Sequence, residues 1–210
     1  MANPTITELQ NKERYELIAE LDHKQIKEFV LEQLTQGGWI VKSFMIYQVI
    51  MLAFGLMVLI WAITQAVNAY LLPLYYTLAA LIFCISFLII IHELLHGIAI
   101  KLTGAKKVNY GAYLKKFIFY AEANQHVLNR KQFAFIALTP FVVIKFVTII
   151  VIILFIHHPM VYFMVLVMCA HSLFCAGDIG LLSLFYKYGN SQIFTYDVKI
   201  EKKSYYFRRK

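Results

Sequence analysis

The sequence predicts an all-α membrane protein with four transmembrane helices and both termini in the cytoplasm. Three observations carry that prediction. Of the 210 residues, 60% are hydrophobic and the mean hydropathy is +0.65, more apolar than an ordinary soluble domain. Four apolar segments, near 43–66, 71–101, 132–156 and 160–186, are each long enough to cross a hydrocarbon core of about 30 Å. The basic residues keep step with these segments. They cluster before the first, between the second and third, and after the fourth, whereas 67–70 and the His157-His158-Pro159 turn carry no Lys, Arg, Asp or Glu. The positive-inside rule then assigns each basic connection to the cytoplasm.

The formal net charge of +8 fits topology and attraction to anionic lipid. Nothing in the chain has the pattern of a nucleic-acid-binding module, so nucleic acid is excluded as a partner and the lipid bilayer is expected as one. The three cysteines, Cys84, Cys169 and Cys175, all lie in apolar stretches and imply no disulfide framework.

Residues 1–38 read as a cytoplasmic amphipathic helical segment. Mixed charge and the lack of an apolar run exclude a signal peptide. Thr5 and Glu8 have capping-box spacing. Leu17, Ile18 and Leu21 recur at helical spacing, as do Ile26, Phe29, Val30 and Leu34. Asp22 is placed to cap a second helix, and Gly37-Gly38 to end it. Residues 39–187 form the four-span domain and 188–210 a basic cytoplasmic tail. Between the second and third spans, the stretch 106–128 is rich in Tyr, Phe and Val and contains Gly111 and the Lys115-Lys116 pair. It supports a short cytoplasmic β-hairpin or an irregular loop on the lipid surface. Pro140 predicts a kink in the third span, either lining a water path or purely structural.

The second span contains His92-Glu93-Leu94-Leu95-His96. On a helix, residues i and i+4 share a face, so both imidazoles can approach one metal ion. Neutral imidazole nitrogens suit Zn²⁺, and a catalytic zinc keeps a position for water. Zinc brings the pKa of that water to about 7. Glu93 is placed to take the water's proton and pass it to a leaving amine. Polar groups within a membrane helix are costly, so they mark function by default; a buried His–Glu cluster joining helices is the competing reading.

Two histidines need a third protein ligand. The candidates are Glu122, His126, His171, Asp178 and Asp197. Depth separates them. His92 lies nine residues before Lys101, and Asp178 nine before Lys187. Both therefore sit about 14 Å in from their cytoplasmic ends, on helices that run in the same direction. Gly177 and Gly180 would allow another helix close to Asp178. Lys145 in the third span competes as an ion-pair partner for Asp178. His171 is expected about 10 Å farther out along a straight helix, beyond the same zinc. It would then orient substrate, stabilise an oxyanion, or serve as a satisfied core histidine. Glu122, His126 and Asp197 fall in cytoplasmic segments.

These features resemble the small bacterial integral-membrane zincin metallopeptidases. The motifs that carry the resemblance are HELLHG (92–97) in a membrane helix, Leu138-Thr139-Pro140 in a later span and the distal Gly177-Asp178, and it covers roughly residues 80–186. The chain is more distantly similar to the site-2 proteases. Those have Asn and Pro ahead of an Asp-Gly pair, where this chain has Gly177-Asp178 and, earlier, His171. The resemblance implies His92, His96 and Asp178 as Zn²⁺ ligands, Glu93 as catalytic acid/base, and a multi-pass protein of the bacterial cell membrane. By analogy, the 107–121 stretch would hold an extended substrate by strand addition. The expected function is zinc-dependent cleavage of membrane-anchored or membrane-proximal proteins and peptides. Two other classes fit the same residues: a non-catalytic metal-binding scaffold, and a small proton or metal transporter using His92, Glu93, His171 and Asp178 as a relay.

Overall fold

The computed structural model describes residues 3–113 and 118–210, so Lys115 and Lys116 lie outside the described residues. The chain divides into two compact units. One contains 1–41, 93–139 and 177–210, and the other 42–92 and 140–176.

Among the described residues, three helices are long and apolar enough to cross a membrane. They are α3 (Trp39–Val67), the stretch Leu72–Leu102, and α6 (Arg130–Leu154). The stretch Leu72–Leu102 comprises α4 (Leu72–Phe83), a π-helical turn at Cys84–Leu88 and α5 (Ile89–Leu102). A fourth span is present if α7 (Met160–Phe174) and α8 (Ala176–Lys187) count as one, bent by 43°. The four apolar segments of the sequence correspond to these elements. The break at Cys175 was not placed by the sequence, although Gly177 and Gly180 loosen the backbone just after it.

The all-α expectation is corrected. The protein is mostly helical but also contains a four-stranded antiparallel sheet in the order β1-β6-β5-β4 and a two-stranded hairpin, β2-β3. Their ranges are β1 Tyr15–Asp22, β2 Asn109–Tyr113, β3 Ile118–Glu122, β4 Leu128–Asn129, β5 Ile193–Val198 and β6 Lys203–Arg209. Residues 15–22 are a strand rather than a helix. The register shifts between Leu17 and Ala19, leaving Ile18 as the extra residue of a bulge. That extra residue breaks the period-2 alternation, so the apolar positions mimic a helical stripe. The partner of this strand is also distant in sequence, with Tyr15 opposite Arg209.

The sheet is apolar on both faces. Ile193 and Tyr206 pack with Leu21, Leu184 and Phe185, anchoring the end of α8. Phe194, Tyr196 and Phe207 pack on Leu9 of α1 (Ile6–Leu9). Such alternation follows from successive side chains pointing to opposite faces of a strand.

Other local expectations hold. Thr5 and Glu8 form both halves of the capping box. The side chain of Asp22 accepts from the Lys24 N–H at the start of a 3-10 turn, 2.8 Å. Helix α2 (Ile26–Gln36) ends at Gly37, whose φ of 60° suits glycine. The hairpin forms in 109–122, with Gly111 opposite Tyr120, whose ring covers it. In the apolar unit α3 packs on α7 through Met51, Val58, Val165 and Cys169. There Lys145 Nζ donates to the Met168 carbonyl at 2.7 Å and lies 5.1 Å from the centre of the Tyr47 ring.

Candidate metal centre

Helix α5 carries His92, Glu93 and His96, and the boundary between the two units falls inside it, between His92 and Glu93. The imidazoles are one helical turn apart and both are buried, with 6% and 8% of their surface exposed. Glu93 is partly buried.

His96 is held at both ring nitrogens. Nε2 lies 3.1 Å from Oδ1 of Asp178, which stands in the first turn of α8. A carboxylate is favoured at that end of a helix, where backbone N–H groups are unpaired. The Nδ1–H of His96 donates to the Ile136 carbonyl, 3.0 Å away. Pro140 explains why that carbonyl is available. It lies inside α6, four residues after Ile136, and has no N–H to complete the helical hydrogen bond. A feature expected to be a kink or the lining of a water path thus also frees an acceptor for His96.

His92 is held differently. Its Nδ1 lies 3.0 Å from Nε2 of His171, which is completely buried. His171 stands in α7, whose C-cap is Cys175, and it is not in the group of side chains that includes Asp178. Cys175 Sγ packs against the His171 ring, 3.8 Å from each nitrogen. Among the described residues, two sets of side chains could hold a metal ion: His92, His96 and Asp178, and His92, His171 and Cys175.

The glycine that follows the motif has a steric reason. A Cβ on Gly97 would lie 1.9 Å from the Tyr110 hydroxyl, so the hairpin reaches α5 only over a residue without a side chain. Gly180 plays the same part toward α2, with Val30 Cγ1 2.8 Å from where its Cβ would be, whereas nothing lies within 4 Å of that position at Gly177.

The other candidates stand elsewhere. His126 Nε2 pairs with Thr103 Oγ1 at 3.1 Å. Glu122, which is buried, and Asp197, which is half-buried, belong to a second polar cluster. His23 Nε2 lies 3.0 Å from Ser204 Oγ, Ser204 donates to Asp197 at 2.6 Å, and His23 Nδ1 is 3.7 Å from Glu122. Burial pushes the Asp197 carboxyl up to about 6 against the Ser204 hydrogen bond. It also raises Glu122, helped by the charge of Asp197, and lowers His23. Cys175, the Ile136 carbonyl and Tyr110 were missed by sequence reasoning. The pairing of Gly97 with HELLH and of Thr139 with Pro140 were the only local signals for the last two.

No curated protein and no solved structure matches the chain significantly. The family model described as "Putative zincin peptidase" matches residues 85–193, just over half of the sequence, and the chain belongs to that family.

Proposed function

We propose that this protein is a zinc-dependent, membrane-embedded metallopeptidase in which His92, His96 and Asp178 hold Zn²⁺ and Glu93 is the catalytic acid/base. The observation that carries the reading is the 3.1 Å approach of Asp178 Oδ1 to His96 Nε2. Neighbouring ligands of a tetrahedral zinc with bonds of 2.0–2.1 Å stand about 3.3 Å apart, so this pair fits two corners of such a site. Two imidazoles and one carboxylate are a donor set suited to catalytic zinc. Further support comes from His96, whose Nδ1 is occupied by Ile136, leaving Nε2 for the metal.

Zinc, when bound, polarises a carbonyl and acidifies water. The chain's own residues supply the rest. Glu93 accepts a proton from water and delivers it to the leaving amine. The apolar walls of the spans limit access by bulk water, which strengthens each charge interaction within the site. With basic connections in the cytoplasm, the site lies toward the inner leaflet, favouring membrane-anchored or membrane-proximal proteins and peptides. The β2-β3 hairpin, which touches α5 through Tyr110, would align an extended substrate by strand addition.

The test is bound zinc in detergent-purified protein, followed by comparative membrane proteomics. Wild type should carry one zinc, His96→Ala none, and Asp178→Asn much less. Glu93→Gln should keep the metal and let an uncut membrane substrate accumulate. Full occupancy in His96→Ala would refute the site. An unchanged proteome in Glu93→Gln would favour a metal-binding scaffold without catalysis.

A further inference from the structure

We infer that His171 is a positioning residue for His92: it accepts the Nδ1 proton of His92 and so turns Nε2 toward the metal. This rests on the zinc reading above. The geometry is that of a direct hydrogen bond between two rings. The nitrogens are 3.0 Å apart, and the ring centroids 5.2 Å apart at an interplanar angle of 56°. That centroid separation equals the hydrogen bond plus a ring radius of about 1.1 Å at each end, so the N···N vector runs along both in-plane nitrogen directions. One ring must then donate and the other accept.

The same geometry argues against a metal held by His92 Nδ1, His171 and Cys175. Two nitrogens facing each other across a metal with bonds of about 2.0 Å would be about 4 Å apart. Ligands meeting at a tetrahedral angle would converge on a point off the line between them. Here they face each other at 3.0 Å, which has room for a proton and not for a metal ion. Cys175 Sγ is equidistant from the two nitrogens of His171, at 3.8 Å, so it points along neither nitrogen's in-plane direction. It packs against the ring and holds it in place.

The two histidines of the motif are thus oriented by unlike partners, a backbone carbonyl for His96 and a side chain for His92. A donor fixed at Nδ1 sets both the tautomer and the angle of the ring. His171 is completely buried, so water cannot substitute for it without a cavity being opened.

The experiment measures zinc affinity by chelator competition on the full-length protein in detergent, together with the visible and near-ultraviolet spectrum of the cobalt-loaded form. His171→Leu should weaken zinc binding about 10–100-fold. His171→Gln, which keeps an acceptor, should recover most of that loss and guards against a general folding defect. The cobalt spectrum should lack a thiolate-to-metal band, and should be the same in Cys175→Ser. Wild-type affinity in His171→Leu would overturn the positioning role alone. Equal losses in the Leu and Gln variants would do so too. A thiolate band that disappears in Cys175→Ser would overturn it in favour of the second ligand set. Wild-type protein that binds no zinc would instead sink the peptidase reading, and this inference with it.

Discussion

Pro140→Ala should move two quantities in opposite directions. Proline inside a helix costs about 3 kcal/mol relative to alanine, through the missing hydrogen bond and the clash of its ring with the preceding turn. Neighbouring groups in a membrane recover part of that, so a gain of about 1–2 kcal/mol in stability is expected on replacement. The new N–H at position 140 would point at the Ile136 carbonyl, which now accepts from His96 Nδ1 at 3.0 Å. The new donor is fixed by the helix backbone, whereas the His96 ring sits on rotatable side-chain bonds, so the His96 bond lengthens or is shared. Loss of such a partner behind a metal ligand weakens binding by about 10–100-fold. The assays are thermal unfolding of the metal-free protein in detergent and zinc affinity by chelator competition. A purely structural kink would raise stability and leave affinity alone. That result, an unchanged zinc affinity in a folded and stabilised Pro140→Ala, would refute the reasoning.

Two other predictions test contacts elsewhere. Gly180→Ala should destabilise the protein by about 0.5–2 kcal/mol. Its Cβ would lie 2.8 Å from Cγ1 of the buried Val30, and overpacking of about 1–3 kcal/mol outweighs the helix-propensity gain of up to about 1 kcal/mol. A double-mutant cycle with Val30→Ala should show a coupling of about 1 kcal/mol or more, and zero coupling would contradict the contact. Asp197→Asn addresses pH. Burial raises the Asp197 carboxyl from 3.8 to about 6, so its folded-state advantage is complete below the unfolded value and is lost as pH rises through about 6. Wild type should therefore lose up to about 3 kcal/mol between pH 4 and 7 relative to Asp197→Asn, read from unfolding midpoints. A relative gain over that range would be the wrong sign.

Most of the candidate site was legible before folding. Asp178 lies nine residues before Lys187, as His92 does before Lys101, and Asp178 does meet the motif helix, through His96. That argument needed only the rise of a helix and the direction of its span. The alternative partner, Lys145, was equally visible, and its actual partner, the Met168 carbonyl, was not. Backbone acceptors carry no sequence identity, so that bond could not be anticipated, and the one from His96 to Ile136 had Pro140 as its local sign. His171 was recognised as a candidate, but its contact with His92 was not.

The sequence by itself determined the apolar spans, the shared face of His92 and His96, the hairpin as one of two readings, and the caps at Thr5, Asp22 and Gly37. All of these are set within a few residues, by periodicity, length or backbone preference. Only the tertiary structure decided that residues 15–22 join a sheet with 203–209, because a bulge at Ile18 disguises the strand and its partner lies at the far end of the chain. Only the tertiary structure decided that α7 stops at Cys175 and sets His171 against His92. Gly177 and Gly180 loosen the backbone after Cys175 without fixing where the helix stops, and the contact between His92 and His171 joins residues 79 positions apart, so packing had to select it.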